Sequence, residues 1–178
     1  MTRPLSPLTL SEQDRRILAV WAADCAERVL PLFEAEAPND SRPREAIESA
    51  RAFASGELRI GPARILSARA HAAARAMQNP AAVAAARAAG HAAGVAHMAA
   101  HARGVAYAAV AAGLAAPEAS KSMVDEARWQ FEHATKAVRE ILRKLPPPPR
   151  VSSRLGQAIS DMYEKLRPNQ TDHDLLVQ

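Results

Sequence analysis

Four histidines punctuate the middle of the chain: His71, His91, His97 and His101. His97 and His101 stand four apart, the spacing at which two imidazoles on one helix can share a metal ion. A zinc site would need a third ligand, which His71 or His91 could bring from a neighbouring helix. The glutamate of a hydrolytic zinc motif is missing, because the residues between the pair are Met98, Ala99 and Ala100. Nor does any Asp or Glu occur between residues 58 and 117 to act as general base or to orient a ligand. Without such partners the four histidines are expected to pack where helices cross. A small helical metal- or ligand-binding protein built on His97 and His101 is the alternative.

The other chemistry-bearing residues point away from catalysis. The glycines lie within helical alanine with no strand before them, so none forms a phosphate-cradling loop. There is no GxSxG elbow and no acid pair suited to glycoside chemistry. Cys25 is the only cysteine, which excludes an internal disulfide and fits a reducing cytoplasm. It lies on an apolar helix stripe and is expected in the core. The opening residues MTRPLSPLTLSEQD hold no apolar run of signal-peptide length. A non-enzymatic cytoplasmic protein without a cofactor is expected.

The element that must hold the histidines is the alanine-rich stretch 81–116. Alanine loses no side-chain rotamers in a helix and has the lowest helix cost, and about half of residues 63–116 are alanine. One continuous helix over 81–116 would run roughly 50 Å. A compact chain of this length has a radius of gyration of only ~16 Å. The mismatch predicts a break between residues 100 and 104, and hence a tight helical hairpin. Arg87, Gly90, Gly94, His97, His101 and Gly104 would line one seam of the unbroken helix, where a neighbour could approach the backbone closely. Such a seam could also pair with a second copy of the chain to form a homodimer. Arg87, Arg103 and the histidines interrupt it too often for a membrane span.

Helices are predicted on both sides. Ser11 and Asp14 form a near capping box for a first helix with the stripe Ile17, Leu18, Trp21, Cys25, Val29 and Leu32, kinked or ended at Pro31. Asp40 or Ser41 caps a second, with Pro43 in its first turn, the face Ala46, Ile47, Ala50, Phe53 and Ala54, and a stop at Gly56. A third starts at Gly61-Pro62, faces inward through Ile65, Leu66, Ala72 and Ala76, and ends at Asn79-Pro80. Residues 118–145 read as one helix with Val124, Ala127, Phe131, Ala134, Val138, Ile141 and Leu145 inward, and with Glu132–Lys136 and Glu140–Lys144 pairs outside. After Pro146 come a polyproline spacer, a short amphipathic helix and a disordered tail. The fold class is all-α: a compact multi-helix bundle around an Ala-rich hairpin with a C-terminal helical arm. Residues 1–10 are expected to form a flexible N-terminus, 11–145 the helical domain and 146–178 the linker, helix and tail.

Charge is unevenly placed. The first 57 residues hold ten acids against seven bases, whereas the stretch that follows carries Arg59, Arg64, Arg69, Arg75, Arg87 and Arg103 with no acid. The two halves could compensate one another by packing side by side, or present two recognition surfaces. The arginines are dispersed and Tyr107 is the only aromatic residue among them, so a nucleic-acid partner is not expected.

Several stretches together resemble the Imm-5-like immunity proteins associated with bacterial polymorphic toxin systems. They are LSEQDRRILAVWAADCAERVLPLFE, DSRPREAIESARAFASGE, HAAAR and AAGHAAGVAHMAAHARGVAYA. The resemblance covers residues 10–116, and its matching positions include Trp21, Asp24, Cys25, Asp40, Arg42, Pro43, Arg44, Ile47 and the four histidines. It implies an all-helical inhibitor that binds a cognate protein toxin in the producing cell's cytoplasm, and it carries over no established enzyme activity. A basic toxin cleft would meet the acidic front, where Asp24, Glu27, Asp40, Arg42, Arg44 and Glu48 are the candidate interface residues and His71, His91, His97 and His101 the candidate polar or metal cluster.

Overall fold

The computed structural model describes residues 6–146, and among them the chain is all-α. Helix α1 (Glu12–Glu27) starts where the Ser11 hydroxyl accepts the Asp14 N–H at 3.0 Å. Its stripe buries Leu18, Trp21 and Cys25, while Ile17 stays partly exposed. Before α1, the Thr9 and Leu8 carbonyls accept the N–H groups of Ala99 and Ala100, which ties the start of the described chain to its centre. The predicted disruption at Pro31 takes the form of a helix end at Glu27 and a new short helix α2 (Leu30–Glu34) with Pro31 in its first turn. Helix α3 (Arg42–Ser55) carries Pro43 in its first turn, buries Ala46, Ile47, Ala50 and Phe53, and closes on Gly56 at φ 89°. The N-cap residue is Ser41, but its hydroxyl meets Glu45 at 2.5 Å; the N–H of Arg42 goes to Asp40 instead.

Helices α4 (Ile60–Ala76) and α5 (Pro80–Gly94) follow, the second capped by the Asn79 side chain on the N–H groups of Ala81 and Ala82. Helix α5 is the axis of the fold, packed by α1, α2, α3, α4 and the later helix α6 (Ala106–Ala115). Only Pro80, Val83, Arg87 and His91 of α5 escape full burial, one narrow stripe at three- and four-residue steps. Alanine makes this possible, since a helix contacted on nearly all sides has no room for larger side chains.

Three expectations are corrected. The break in the alanine-rich stretch comes earlier and is longer than predicted: α5 ends at Gly94, residues 95–98 turn, and a 3₁₀ segment (Ala99–Val105) leads into α6 (Ala106–Ala115), which packs back on α5. The inward face of α4 is Ala63, Ser67, Ala70, Ala73 and Ala74, whereas Ile65 is 63% exposed. Small residues let α4 lie close to α5, so the larger side chains are turned outward. Residues 118–145 form two helices, α7 (Ala119–Glu132) and α8 (Lys136–Lys144), because the Thr135 hydroxyl caps a new helix on the Val138 N–H at 3.2 Å.

The inward face of α7 is polar where the period suggested Val124, which is 49% exposed. Buried Gln130 gives its side-chain N–H to the Val105 carbonyl at 3.1 Å, and its own carbonyl accepts the Trp21 indole N–H at 2.9 Å. Buried Glu126 pairs with Arg28 at 2.9 Å, whose guanidinium lies 3.9 Å from the Trp129 ring. Buried backbone carbonyls need donors, and that need outweighs the apolar period here. Across the break, Lys144 reaches Asp14 at 2.9 Å and Lys136 turns forward to Glu140 at 4.0 Å. The predicted spacer, last helix and tail after Pro146 lie outside the described residues, apart from Pro146 itself, whose carbonyl accepts from Arg103.

Candidate functional site

Two constellations emerge from this packing. The first gathers all four histidines. His71 comes from α4, His91 from α5, His97 from the turn after it and His101 from the 3₁₀ segment. The helix ends at Gly94, so His97 and His101 meet, with ring centroids 4.8 Å apart, without sharing an α-helical face. His71 and His91 lie edge to face at 4.9 Å, and His91 and His101 are 5.1 Å apart. The Nδ1 atoms of His91 and His101 are 2.9 Å apart, so one ring donates and the other accepts. On its other side His91 stacks on Tyr107 at 5.3 Å, and Arg87 lies 5.7 Å from the tyrosine ring.

Each of three glycines makes room for one of these rings. A Cβ on Gly90 would come within 2.8 Å of the His71 ring, and one on Gly94 within 2.9 Å of His101. A Cβ on Gly104 would overlap the Cβ and Cγ of His91. The seam is therefore filled from within the chain, and the surface proposed for pairing with a second copy is occupied by the protein's own imidazoles.

Burial opposes charging of these rings. It pushes His91 down to about 3, with His101, His71 and Arg87 adding to the effect. His101 is pushed down to about 4 by burial and then by His97 and His71. His71 and His97 are lowered too, by burial first and then by Arg75 and Arg87 for His71, and by Arg64 and Arg15 for His97. Neutral imidazoles can ligate metals, but the facing nitrogens of His91 and His101 sit at hydrogen-bond distance. Among the described residues no group of three or more His, Cys, Asp or Glu is placed to hold a metal ion. Cys25 is fully buried, and burial raises its thiol far above the range of a nucleophile.

The second constellation is the outer face of α3. Arg44, Glu48 and Arg51 follow one another at four- and three-residue steps and share a stripe. Arg44 meets Glu34 of α2 at 2.5 Å. Arg51 joins Asp24 at 2.8 Å and Glu27 at 2.7 Å on α1. Glu48 is exposed between the two arginines. Asp24, Glu27, Arg44 and Glu48 thus lie on one surface. Asp40 and Arg42 do not join them: they pair with each other at 2.5 Å at the start of α3, and that hydrogen bond holds the Asp40 carboxyl below its usual range. Among the described residues, the expected compensation between acidic and basic halves is seen at one pair, Arg69 of α4 with Glu45 of α3 at 2.8 Å.

Sequence reasoning missed Arg51, which ties α1 to α3, although its spacing from Arg44 and Glu48 was visible. It placed Arg87 on the seam with the histidines but missed Tyr107 as a wall of the cluster, for which only the folded topology gives a signal.

What these elements define is an all-α protein with a packed alanine core, a histidine-filled seam and a charged outer face. The family described as "Imm-5 like putative immunity protein" matches residues 8–137, and the chain belongs to that family. No curated protein and no solved structure matches it. Among the described residues no helix is long and apolar enough to cross a membrane.

Proposed function

We propose that this protein binds a cognate bacterial toxin and neutralises it by covering part of the toxin's surface, in the cytoplasm of the cell that makes both. The observation that carries this reading is the outer face of α3 with its neighbours on α1 and α2. Asp24, Glu27, Glu34 and Glu48 there outnumber Arg44 and Arg51, and the ion pairs hold long side chains in place before any partner arrives. Pre-ordered side chains lose less freedom on binding. A surplus of carboxylates draws in a basic cleft and disfavours partners of the wrong sign. Family membership supports the reading, and inhibition by coverage requires neither catalysis nor a cofactor.

The test is capture of the toxin with tagged full-length chain from a lysate of its own source, followed by growth rescue on co-expression and stopped-flow association. Changing Glu27, Glu34 and Glu48 together to Lys should slow association by ~10-fold or more at low salt. An unchanged rate would refute the face. Recovery of no toxin domain from cells shown to express one would refute the function.

A further inference from the structure

Two sets of arginines stand apart on the first five helices. Arg16, Arg28, Arg42, Arg44, Arg51 and Arg69 each hold a carboxylate. Arg59, Arg64 and Arg75 are exposed and have no carboxylate partner among the described residues, and exposed Arg87 rests over Tyr107. These four belong to the acid-free stretch: Arg59 precedes α4, Arg64 and Arg75 lie on it, and Arg87 lies on the adjoining edge of α5. Arg64 and Arg75 differ by three helical turns to within ~20°, so they stand in line, roughly 16 Å apart along the axis. His71 lies on the same line with its ring in the Gly90 recess, beside Arg75 and Arg87. Exposed Ala68 and Ala76 and half-exposed Ala72 make the outer face of α4 shallow, and Ile65 rises from it at 63% exposure. Arg69, bound to Glu45, forms the opposite border.

We propose that the outer face of α4, with Arg87 at its α5 edge, is a docking surface for an acidic protein segment. Carboxylates of the partner would lie on Arg64, Arg75 and Arg87, and an apolar side chain would pack beside Ile65 on the alanine floor. Uncompensated guanidiniums raise the potential over this face, and arginine beside an exposed apolar residue is a composition enriched at interface centres. A nucleic-acid strand fits less well: Tyr107 lies under Arg87 and is stacked on His91, and the His71 ring is held in the Gly90 recess, so neither is free to receive a base. The proposal rests on the toxin-binding reading for the partner's identity and deepens it. Because α3 and α4 lie side by side, joined by Glu45 and Arg69, one toxin could span both faces. It would need a basic patch opposite α3 and an acidic one opposite α4, a two-signed pattern that sets orientation as well as affinity.

The test uses the full chain with Arg64 and Arg75 both changed to Glu. The control, Lys121→Glu with Arg143→Glu, makes the same change in net charge at exposed positions on α7 and α8. The probes are the captured toxin, a labelled peptide of alternating Glu and Leu, and a single-stranded RNA of equal charge. The α4 variant should bind toxin and peptide ~10-fold more weakly or worse, and the control within ~2-fold of the parent. Ile65→Ala should weaken toxin binding ~5-fold with an unchanged melting curve, which separates docking from folding. Equal losses in variant and control would reduce the effect to bulk charge and overturn the proposal, as would tighter binding of the RNA than of the peptide. Undiminished toxin binding by the α4 variant would overturn it while leaving toxin neutralisation intact. Selective peptide binding with no toxin captured would defeat the toxin reading and support the acidic-segment surface.

Discussion

Acidification should unfold this protein through its histidine seam. His91 and His101 have folded-state values of about 3 and about 4, against 6.5 for an ordinary histidine. Between those limits the unfolded chain binds two more protons than the folded one, so stability is complete above pH 6.5 and falls as the pH drops towards 4. Each such proton contributes a slope of up to ~1.4 kcal/mol per pH unit. At pH 5.5 an unfolded histidine is about nine-tenths charged and the two buried ones are mostly neutral, so the loss between pH 6 and pH 5 is about 2.5 kcal/mol. That is a large part of the ~5–15 kcal/mol a domain usually has. His71 and His97 are lowered as well and act in the same direction. Asp14 and Asp40, whose carboxyls are lowered, act below pH 4 and leave this window clear. Urea unfolding followed by helical circular dichroism at half-unit steps from pH 7 to pH 4.5 measures the slope. The double variant His91→Gln, His101→Gln should be less stable at pH 7 and should lose most of the slope. A parent protein flat to within ~0.5 kcal/mol from pH 6 to pH 5, or a variant with the same slope, would refute the reasoning.

Other consequences are open to direct measurement. Gly104→Ala should cost ~3 kcal/mol or more, because its methyl overlaps the base of His91, whereas Gly61→Ala has nothing within 4 Å and should be neutral or stabilising by up to ~1 kcal/mol in thermal melts. Thr135→Ala removes the cap of α8 and should cost ~1 kcal/mol; hydrogen exchange should show the loss first at the amide of Val138. Cys25 should resist a thiol reagent in native buffer and react fully in denaturant; rapid native labelling would contradict its burial.

Helices α1, α3, α4 and α5 were legible because their ends rest on local chemistry: Ser11, Asn79 with Pro80, and Gly56 act within a few residues of themselves. Orientation was legible where side chains are large, as with Trp21 and Phe53, and failed where alanine dominates. On α4 the period of Ile65, Leu66 and Ala72 pointed the wrong way, because a close helix crossing selects for small residues and a mean apolar face cannot record that preference. On α7, the inward Gln130 answers a carbonyl of Val105 that sequence distance hides. The four histidines were recognisable as a group, but not their partners. That the rings of His71, His91 and His101 each face a glycine depends on how three separate segments cross, and a spacing of four residues suggested a shared helix that ends before His97. On the charged outer face of α3, Asp24, Glu27, Arg44 and Glu48 were legible as residues and illegible as pairs, since Arg51 selects its carboxylates from another helix.

Two alanine-coated cylinders have almost no preferred alignment along their axes, because shifting one by a turn sets methyl against methyl again. The recesses at Gly90, Gly94 and Gly104 remove that degeneracy. Gly90 and Gly94 stand one helical turn apart, and each is already taken by a different ring. Sliding α4 by one turn would drive His71 either into the place of His101 or onto the methyl of Ala86. The histidines and glycines therefore work as tabs and notches that index an otherwise uniform surface, and a change at one member of a pair is tolerable only with a matching change at the other.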